Sequence, residues 1–495
     1  MIRLLFVLVN NVVTGGNRIL LELANRLQKQ EFSSHIWFWD GSTNADWANK
    51  TLSIVSCDAA DLAAHGPFDI ALFSNAFLLP QVLPLLDNAT MPLLVCQSFE
   101  SFCYGENPQE LFSEKPAIDN VIRLPISRIA ISHSVQNILQ KRLGVNAEYV
   151  PAAINIELFE RESSNNNNRN SAGARRTGRR RVLFVGDYIW PLKGMADLIA
   201  ALSRVNRNLP VELVVITSQT RERHCFDALP FPVETHTAPA QSELQTIYSS
   251  CDLYCCASWY EGFGLPALEA AAAGIPVVST RTHGVSDYGV DGENVLLANI
   301  NDADDLACKI ELLLNDDQLA DKLKQAAIRT AREYSWDTTV TACTSVLQRL
   351  HAQHMGQTDR LPNVSTSGSV TSSAELEALK RDLIQSGFYA QLSEQRKLTC
   401  LSREFEQLCG QLRSQLLPAA EAKSRLAAMK QSLADANASS DSSLQKQFKG
   451  RYDLCRVLLS LADQPSVVAN VLAAGAPKQN KHELCTRVHR GAGDG

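Results

Sequence analysis

A chain of 495 residues with 45% hydrophobic and 20% charged side chains has the balance of an ordinary globular protein, with material for two or more cores at about 100–200 residues per domain. Its net charge of −6 supplies no global field favouring nucleic acid or an anionic membrane. Thirteen cysteines, an odd number without a Cys-x-x-Cys spacing, argue against a disulfide framework or a zinc site and for reduced, buried thiols. The opening apolar run ends at Asn10-Asn11 with no small-residue cleavage site, so it reads as a buried strand rather than a signal peptide. No segment approaches the roughly 18 apolar residues of a membrane span. Strands are expected at 2–9, 35–38, 69–73, 92–96, 128–132 and 148–151. Helices are expected at 17–30, where Ile19, Leu20, Leu23, Ala24 and Leu27 form one apolar stripe, and at 135–143, with Gly144 as a stop. This alternation predicts an α/β unit with a doubly wound parallel sheet over 1–160.

The pattern breaks at 161–181, which holds four consecutive asparagines and seven arginines and reads as a flexible linker. It has no interleaved aromatics, so stacking on nucleic acid bases is not supported. The alternation then restarts, with strands expected at 182–185, 211–217, 253–257 and 275–279. Helices follow at 194–205, 242–250, 265–273, 304–314 and 317–333, giving a second α/β domain over 182–335. Two such units leave a cleft where strand carboxyl ends can face a ligand. A helix at 336–355 comes next, and a Ser/Thr-rich linker at 356–374 after it. A helical extension is expected over 375–475, where Leu398, Leu401, Phe405, Leu408 and Leu412 form a seam suited to a coiled coil, self-association or a protein partner. Residues 476–495 read as a disordered tail.

The stretch from Trp259 to Ala270 carries the chemistry. It leaves an apolar strand and opens a helix, with Pro266 in the first turn. Gly262 and Gly264 let the backbone approach a ligand, and the free N–H groups before Leu265 make a site for a diphosphate. Glu261 and Glu269 would repel a phosphate they faced directly, so they suit sugar or ribose hydroxyls on either side of it. A helix start with acidic residues favoured by its dipole is the plainer reading of the same residues.

Glu261 and Glu269, with seven residues between them that include Gly-Phe-Gly-Leu-Pro, resemble the signature of the retaining, metal-independent glycosyltransferases of family 4 (glycosyl transferases group 1), which have the GT-B fold. The likeness runs from residue 1 to about 350. Gly15-Gly16, Phe184-Val185-Gly186 with Lys193-Gly194, Val277-Val278-Ser279, Gly292–Leu297 and Tyr334-Ser335-Trp336 resemble successive family landmarks in the right order. The resemblance implies two Rossmann-like domains facing a cleft, the first on the acceptor side and the second on the donor side. The last helix crosses back at 336–355.

It also implies that Glu269 holds the donor ribose, and that Glu261, Gly262, Phe263 and Gly264 contact the transferred sugar. Leu265 would meet the diphosphate, with Lys193 as its cation and Gly15 and Gly16 allowing close approach. Glu261 and Lys193 are thus the catalytic candidates, and no metal or bound cofactor is implied beyond the nucleoside-diphosphate sugar co-substrate. The acceptor would be a glycan, a lipid-linked group or another hydroxyl, as in polysaccharide biosynthesis, with a cytoplasmic protein or one peripheral to the inner membrane face. Three positions depart from the family: Asp187 stands where an Arg is usual, Thr280–Val285 replaces a Gly-Gly turn, and 95–100 lacks the usual His. Gln97 and Glu100 in that last segment become acceptor-side candidates, and a linker arginine is a candidate to offset Asp187. Two other functions fit the same shape: a non-catalytic GT-B module that binds a sugar nucleotide or partner, and a nucleotide-sugar epimerase.

Overall fold

The computed structural model describes residues 1–12, 14–42, 53–55, 59–103, 107–160, 178–218, 226, 229–356 and 422–430. The first half builds a seven-stranded sheet from β1 (Ile2–Leu8), β2 (Phe32–Phe38), β3 (Ser53–Val55), β4 (Ile70–Phe73), β5 (Met91–Cys96), β6 (Ser127–Ala130) and β7 (Glu148–Tyr149). Every pairing is parallel and the order is β3-β2-β1-β4-β5-β6-β7. The second half repeats the plan with β8 (Arg180–Val185), β9 (Val211–Thr217), β10 (Val233–Thr237), β11 (Leu253–Cys256), β12 (Val277–Thr280) and β13 (Leu296–Ala298). Its order is β10-β9-β8-β11-β12-β13, again all parallel. In both sheets the winding reverses at the first strand, which opens a crevice at the strand carboxyl ends.

The apolar runs are continuous because both faces of each sheet are covered. In β1, Leu4, Phe6 and Leu8 enter one core while Leu5 and Val7 enter the other, so a period of two divides one run between two layers. Helix α1 (Gly15–Leu27) buries the stripe of Ile19, Leu20, Leu23, Ala24 and Leu27 and is capped by Thr14, whose hydroxyl accepts the Asn17 N–H. Helix α2 (His133–Ile138) continues as a wider turn, Leu139–Leu143, which ends on Gly144 in the left-handed region. The second half adds α3 (Met195–Val205), α4 (Gln241–Ser249), α5 (Leu265–Ala272), α6 (Ala303–Asn315) and α7 (Asp317–Glu333). Helix α8 (Trp336–His354) returns to the first half: the Ile154 N–H donates to Tyr334 O at 3.1 Å, and the Thr339 hydroxyl to Pro151 O at 2.8 Å. Arg349 pairs with Glu148 at 2.8 Å, and the Arg26 guanidinium lies 5.1 Å from the Trp336 ring.

The structure corrects the expected map in three places. Arg180 and Arg181, assigned above to the linker, open β8. Arg181 pairs with Glu212 on β9 at 3.2 Å and Glu234 on β10 at 2.6 Å, which makes a cation acceptable in a strand that composition alone assigns to solvent. Strands β3 and β10 were not expected; the Val-Glu-Thr-His-Thr of β10 is only half-buried throughout and carries little apolar signal. The strand expected at 275–279 begins at Val277 and ends at Thr280.

Contacts divide the chain into Met1–Ser386 and Gly387–Gly495. In the second unit residues 422–430 form a helix with Ala422, Leu426 and Met429 buried, spacings of four and three along one face. The linker core at 161–177, the linker expected at 356–374 beyond Gly356, the leucine seam at 398–412 and the tail at 476–495 lie outside the described residues. The described cysteines are all free, with Cys255 and Cys256 inside β11. Among the described residues no helix is long and apolar enough to cross a membrane.

Candidate functional site

The residues singled out above gather where the strand ends of the two halves meet. After β1 the Gly15-Gly16 turn starts α1, and its first N–H groups have no partner within the helix. After β5 comes Gln97, whose buried Oε1 has no hydrogen-bond partner; it lies 2.7 Å from where a Cβ on Gly16 would stand. From the second half, the turn after β11 leads through Gly264, at φ +88°, into the first turn of α5. A Cβ on Gly15 would touch Leu265 Cδ1 at 3.6 Å, so the starts of α1 and α5 converge. Two helix N-termini aimed at one place make an anion site.

Lys193 reaches this place because of its neighbour. Gly194 adopts φ +63°, and a Cβ there would lie 1.9 Å from Ala257 O, so only glycine lets the 191–193 turn press against the end of β11. Lys193 Nζ then donates to Glu261 Oε1 at 2.7 Å, and the Ser258 hydroxyl donates to the same oxygen at 2.6 Å. Burial works against the Lys193 charge, but the Glu261 carboxylate outweighs it and holds the ammonium above its ordinary pKa. One coil further, Glu269 is 7% exposed; its Oε2 accepts from the Tyr248 hydroxyl at 2.7 Å and its Oε1 faces Arg18 of the first half at 3.4 Å. The site thus holds two ion pairs, each with a carboxylate from the signature segment.

The halves are in direct contact here. A Cβ on Gly262 would lie 2.0 Å from Gln97 O, and the Phe99 N–H donates to the Tyr260 hydroxyl at 2.6 Å. Leu192, Trp259 and Tyr260 pack into the core of the first half. Phe263 is buried against the rings of Tyr288 and Tyr334, at 5.4 and 5.3 Å, so only its backbone is placed to meet a ligand. Asp187 accepts the Ile189 N–H at 3.3 Å and shapes the turn that carries Lys193. Arg180 and Arg181 lie at the opposite end of their sheet from this site, so neither offsets Asp187; the linker arginines before residue 178 lie outside the described residues. His283 packs against the Tyr260, Phe102 and Phe112 rings.

Glu100 has a structural setting. It is 7% exposed, and its carboxyl accepts the Ala76 N–H at 2.5 Å. Burial pushes its pKa up to about 7, the Ala76 N–H pulling the other way. The fold therefore favours the protonated acid. That contribution to stability is complete below the unfolded-state value of about 4.3 and is lost as pH rises through about 7, with an amplitude of ~3 kcal/mol. Glu100→Gln keeps the acceptor and removes the proton, so it should raise stability at pH 8 and do little at pH 5. Urea unfolding of both proteins at the two pH values checks this; an equal gap at both refutes it.

Sequence reasoning missed Arg18, Tyr248, Ser258 and Asp287. Arg18 had a usable signal, since it lies in the first turn after Gly15-Gly16. Tyr248 had none: it comes from α4, and only because α4 and α5 both pack on residues 156–159 does its hydroxyl reach Glu269.

Comparison with known proteins bears on this geometry. Residues 166–330 match the family model described as glycosyl transferases group 1. The chain is 29% identical over 182 residues to an MMP alpha-(1->4)-mannosyltransferase from Mycolicibacterium hassiacum, covering 35% of this chain and 44% of that one. It is 30% identical over 219 residues to a phosphatidyl-myo-inositol mannosyltransferase from Mycolicibacterium smegmatis, covering 43% and 54%. The matched part thus spans about half the length of these curated relatives. Among solved structures, a sucrose-phosphate synthase from Thermosynechococcus elongatus superposes with a TM-score of 0.59 at 16% identity, covering 71% of this chain and all of that one. The two-domain α/β arrangement is the GT-B fold.

Proposed function

Because the chain carries a glycosyl transferases group 1 domain over residues 166–330, we propose that it is a glycosyltransferase that moves a sugar from a nucleoside-diphosphate sugar to a hydroxyl of a glycan or other acceptor, with retention and without a metal. The observation that carries this reading is the convergence of the α1 and α5 starts with Lys193 beside them and Glu269 one coil on. The diphosphate lies on the two helix starts, and the ribose hydroxyls bond to Glu269, which exchanges its long contact with Arg18 for them. Lys193 turns from Glu261 toward the phosphate, and the freed Glu261 accepts a hydroxyl of the transferred sugar.

In the reaction the bond from the anomeric carbon to the diphosphate oxygen breaks, and a bond to the acceptor oxygen forms on the same face. The acceptor proton passes to the departing phosphate. Positive charge placed beforehand where negative charge develops is the main source of rate. The carbon passes through an oxocarbenium-like state, so no protein nucleophile is required.

A thermal-shift screen of UDP-, GDP- and ADP-sugars against the wild type and Glu269→Ala tests the reading. One donor should stabilise the wild type by RT ln(1 + [L]/Kd), about 2.7 kcal/mol at a hundredfold excess over Kd, and the variant far less. No stabilisation by any donor, or equal stabilisation of both proteins, would refute it. Stabilisation without release of nucleoside diphosphate would make the protein a binding module instead.

A further inference from the structure

We propose that Asp287 is a latch that holds the second half against the first, and that it thereby positions the signature turn. The inference deepens the donor-site reading and rests on it for its functional meaning, although its geometry involves no ligand. Helix α2 belongs to the first half and has no acidic residue in its own first turn. Its first two amides instead reach across: His133 N donates to Asp287 Oδ2 at 2.5 Å and Ser134 N to Asp287 Oδ1 at 2.9 Å. A carboxylate from the other half thus supplies the charge that a helix start favours.

The residues on either side of this contact tie it to the site. The Ser132 hydroxyl accepts the Val135 N–H within its helix and donates to Gly262 O at 2.8 Å. The Ser134 hydroxyl donates to His283 O at 2.5 Å. Three consecutive first-half residues therefore bond to the second half, one of them on the signature turn itself. On the other side, Asp287 closes a short turn, Val285–Asp287, that lies directly on that segment. The Gly284 N–H donates to Glu261 O at 2.9 Å, and a Cβ on Gly284 would lie 2.4 Å from Phe263 N. The neighbouring Tyr288 hydroxyl donates to Gly264 O at 2.7 Å. Helix α2, the Asp287 turn and the 261–264 backbone form one stack, so a group that fixes the first two also fixes the third. Asp287 acts through that backbone and is a positioning residue.

Hydrogen exchange of the full chain without ligand tests the latch, comparing wild type, Asp287→Ala and Asp287→Glu, with urea unfolding as the control for global stability. Losing a helix cap that uses both carboxylate oxygens should speed exchange in peptides covering 132–136 on the order of tenfold. Peptides covering 258–264 should speed up with them, while those inside α5 stay unchanged. Asp287→Glu, which keeps the carboxylate, should recover much of the protection and reports on the latch if the alanine variant fails to fold. Unchanged exchange at 132–136 overturns the latch; faster exchange there with none at 258–264 overturns the positioning role. Because no donor is present, failure of the transferase reading leaves these results intact, and failure of the latch leaves Glu269-dependent donor binding intact.

Discussion

Replacing Lys193 by Met should lower kcat for sugar transfer on the order of 10²–10³-fold, with a much smaller change in the donor KM. The negative charge of the leaving diphosphate grows as its bond to the sugar breaks, so a cation beside it matters more in the transition state than in the bound ground state. The ammonium is already carried to this point by the 191–193 turn and kept charged by Glu261. Its pKa is raised by the Glu261 carboxylate, so loss of activity across the neutral range should not trace to its titration. Removing it also strips Glu261 of its cation at 15% side-chain exposure, leaving only the Ser258 hydroxyl described above, so the double variant Lys193→Met/Glu261→Gln is the control for the uncompensated carboxylate. Steady-state kinetics of both variants decide the matter: wild-type turnover in Lys193→Met would move the stabilising charge elsewhere.

Gly262→Ala should cost on the order of a hundredfold in kcat/KM while leaving each half folded. The added methyl lands 2.0 Å from Gln97 O and 3.0 Å from both Gln97 C and Ser98 Cα, all backbone atoms of the first half that no rotamer change can clear. Gly262 is outside the left-handed region, so alanine meets no strain of its own, and the clash alone forces the signature turn and the first half apart. Circular dichroism close to that of the wild type together with the kinetic loss would separate this from misfolding. A fully active variant would mean that the halves do not meet at this point during turnover.

Much of this was legible in the sequence, and for a common reason. The parallel strands are apolar runs buried on two faces, and α1 carries its stripe at the helical period, so periodicity marks them without tertiary knowledge. The signature turn was legible because its glycines, proline and carboxylates lie within one short stretch. Apart from Arg18 and Ser258, what escaped depends on neighbours distant in sequence. Arg181 reads as a linker residue until Glu212 and Glu234 come beside it from other strands. Tyr248 becomes a partner of Glu269 only through helix packing, and Asp287 only because a helix start from the other half lies against it. Glu100 reads as an acceptor-side candidate, and only the fold shows that its carboxyl takes the Ala76 amide and meets little water.

The return of α8 ties the two halves together at a second place. The end of the first half lies beside the segment that leads into α8: Ile154 bonds to Tyr334, and Glu160 pairs with Arg332 at 2.8 Å. These contacts hold the two halves together at one corner, so any relative rotation would move atoms least there. Displacement then grows with distance from that corner, so a few degrees there become ångströms at the far rim. A ligand between the halves would then find the space most adjustable at the rim farthest from α8.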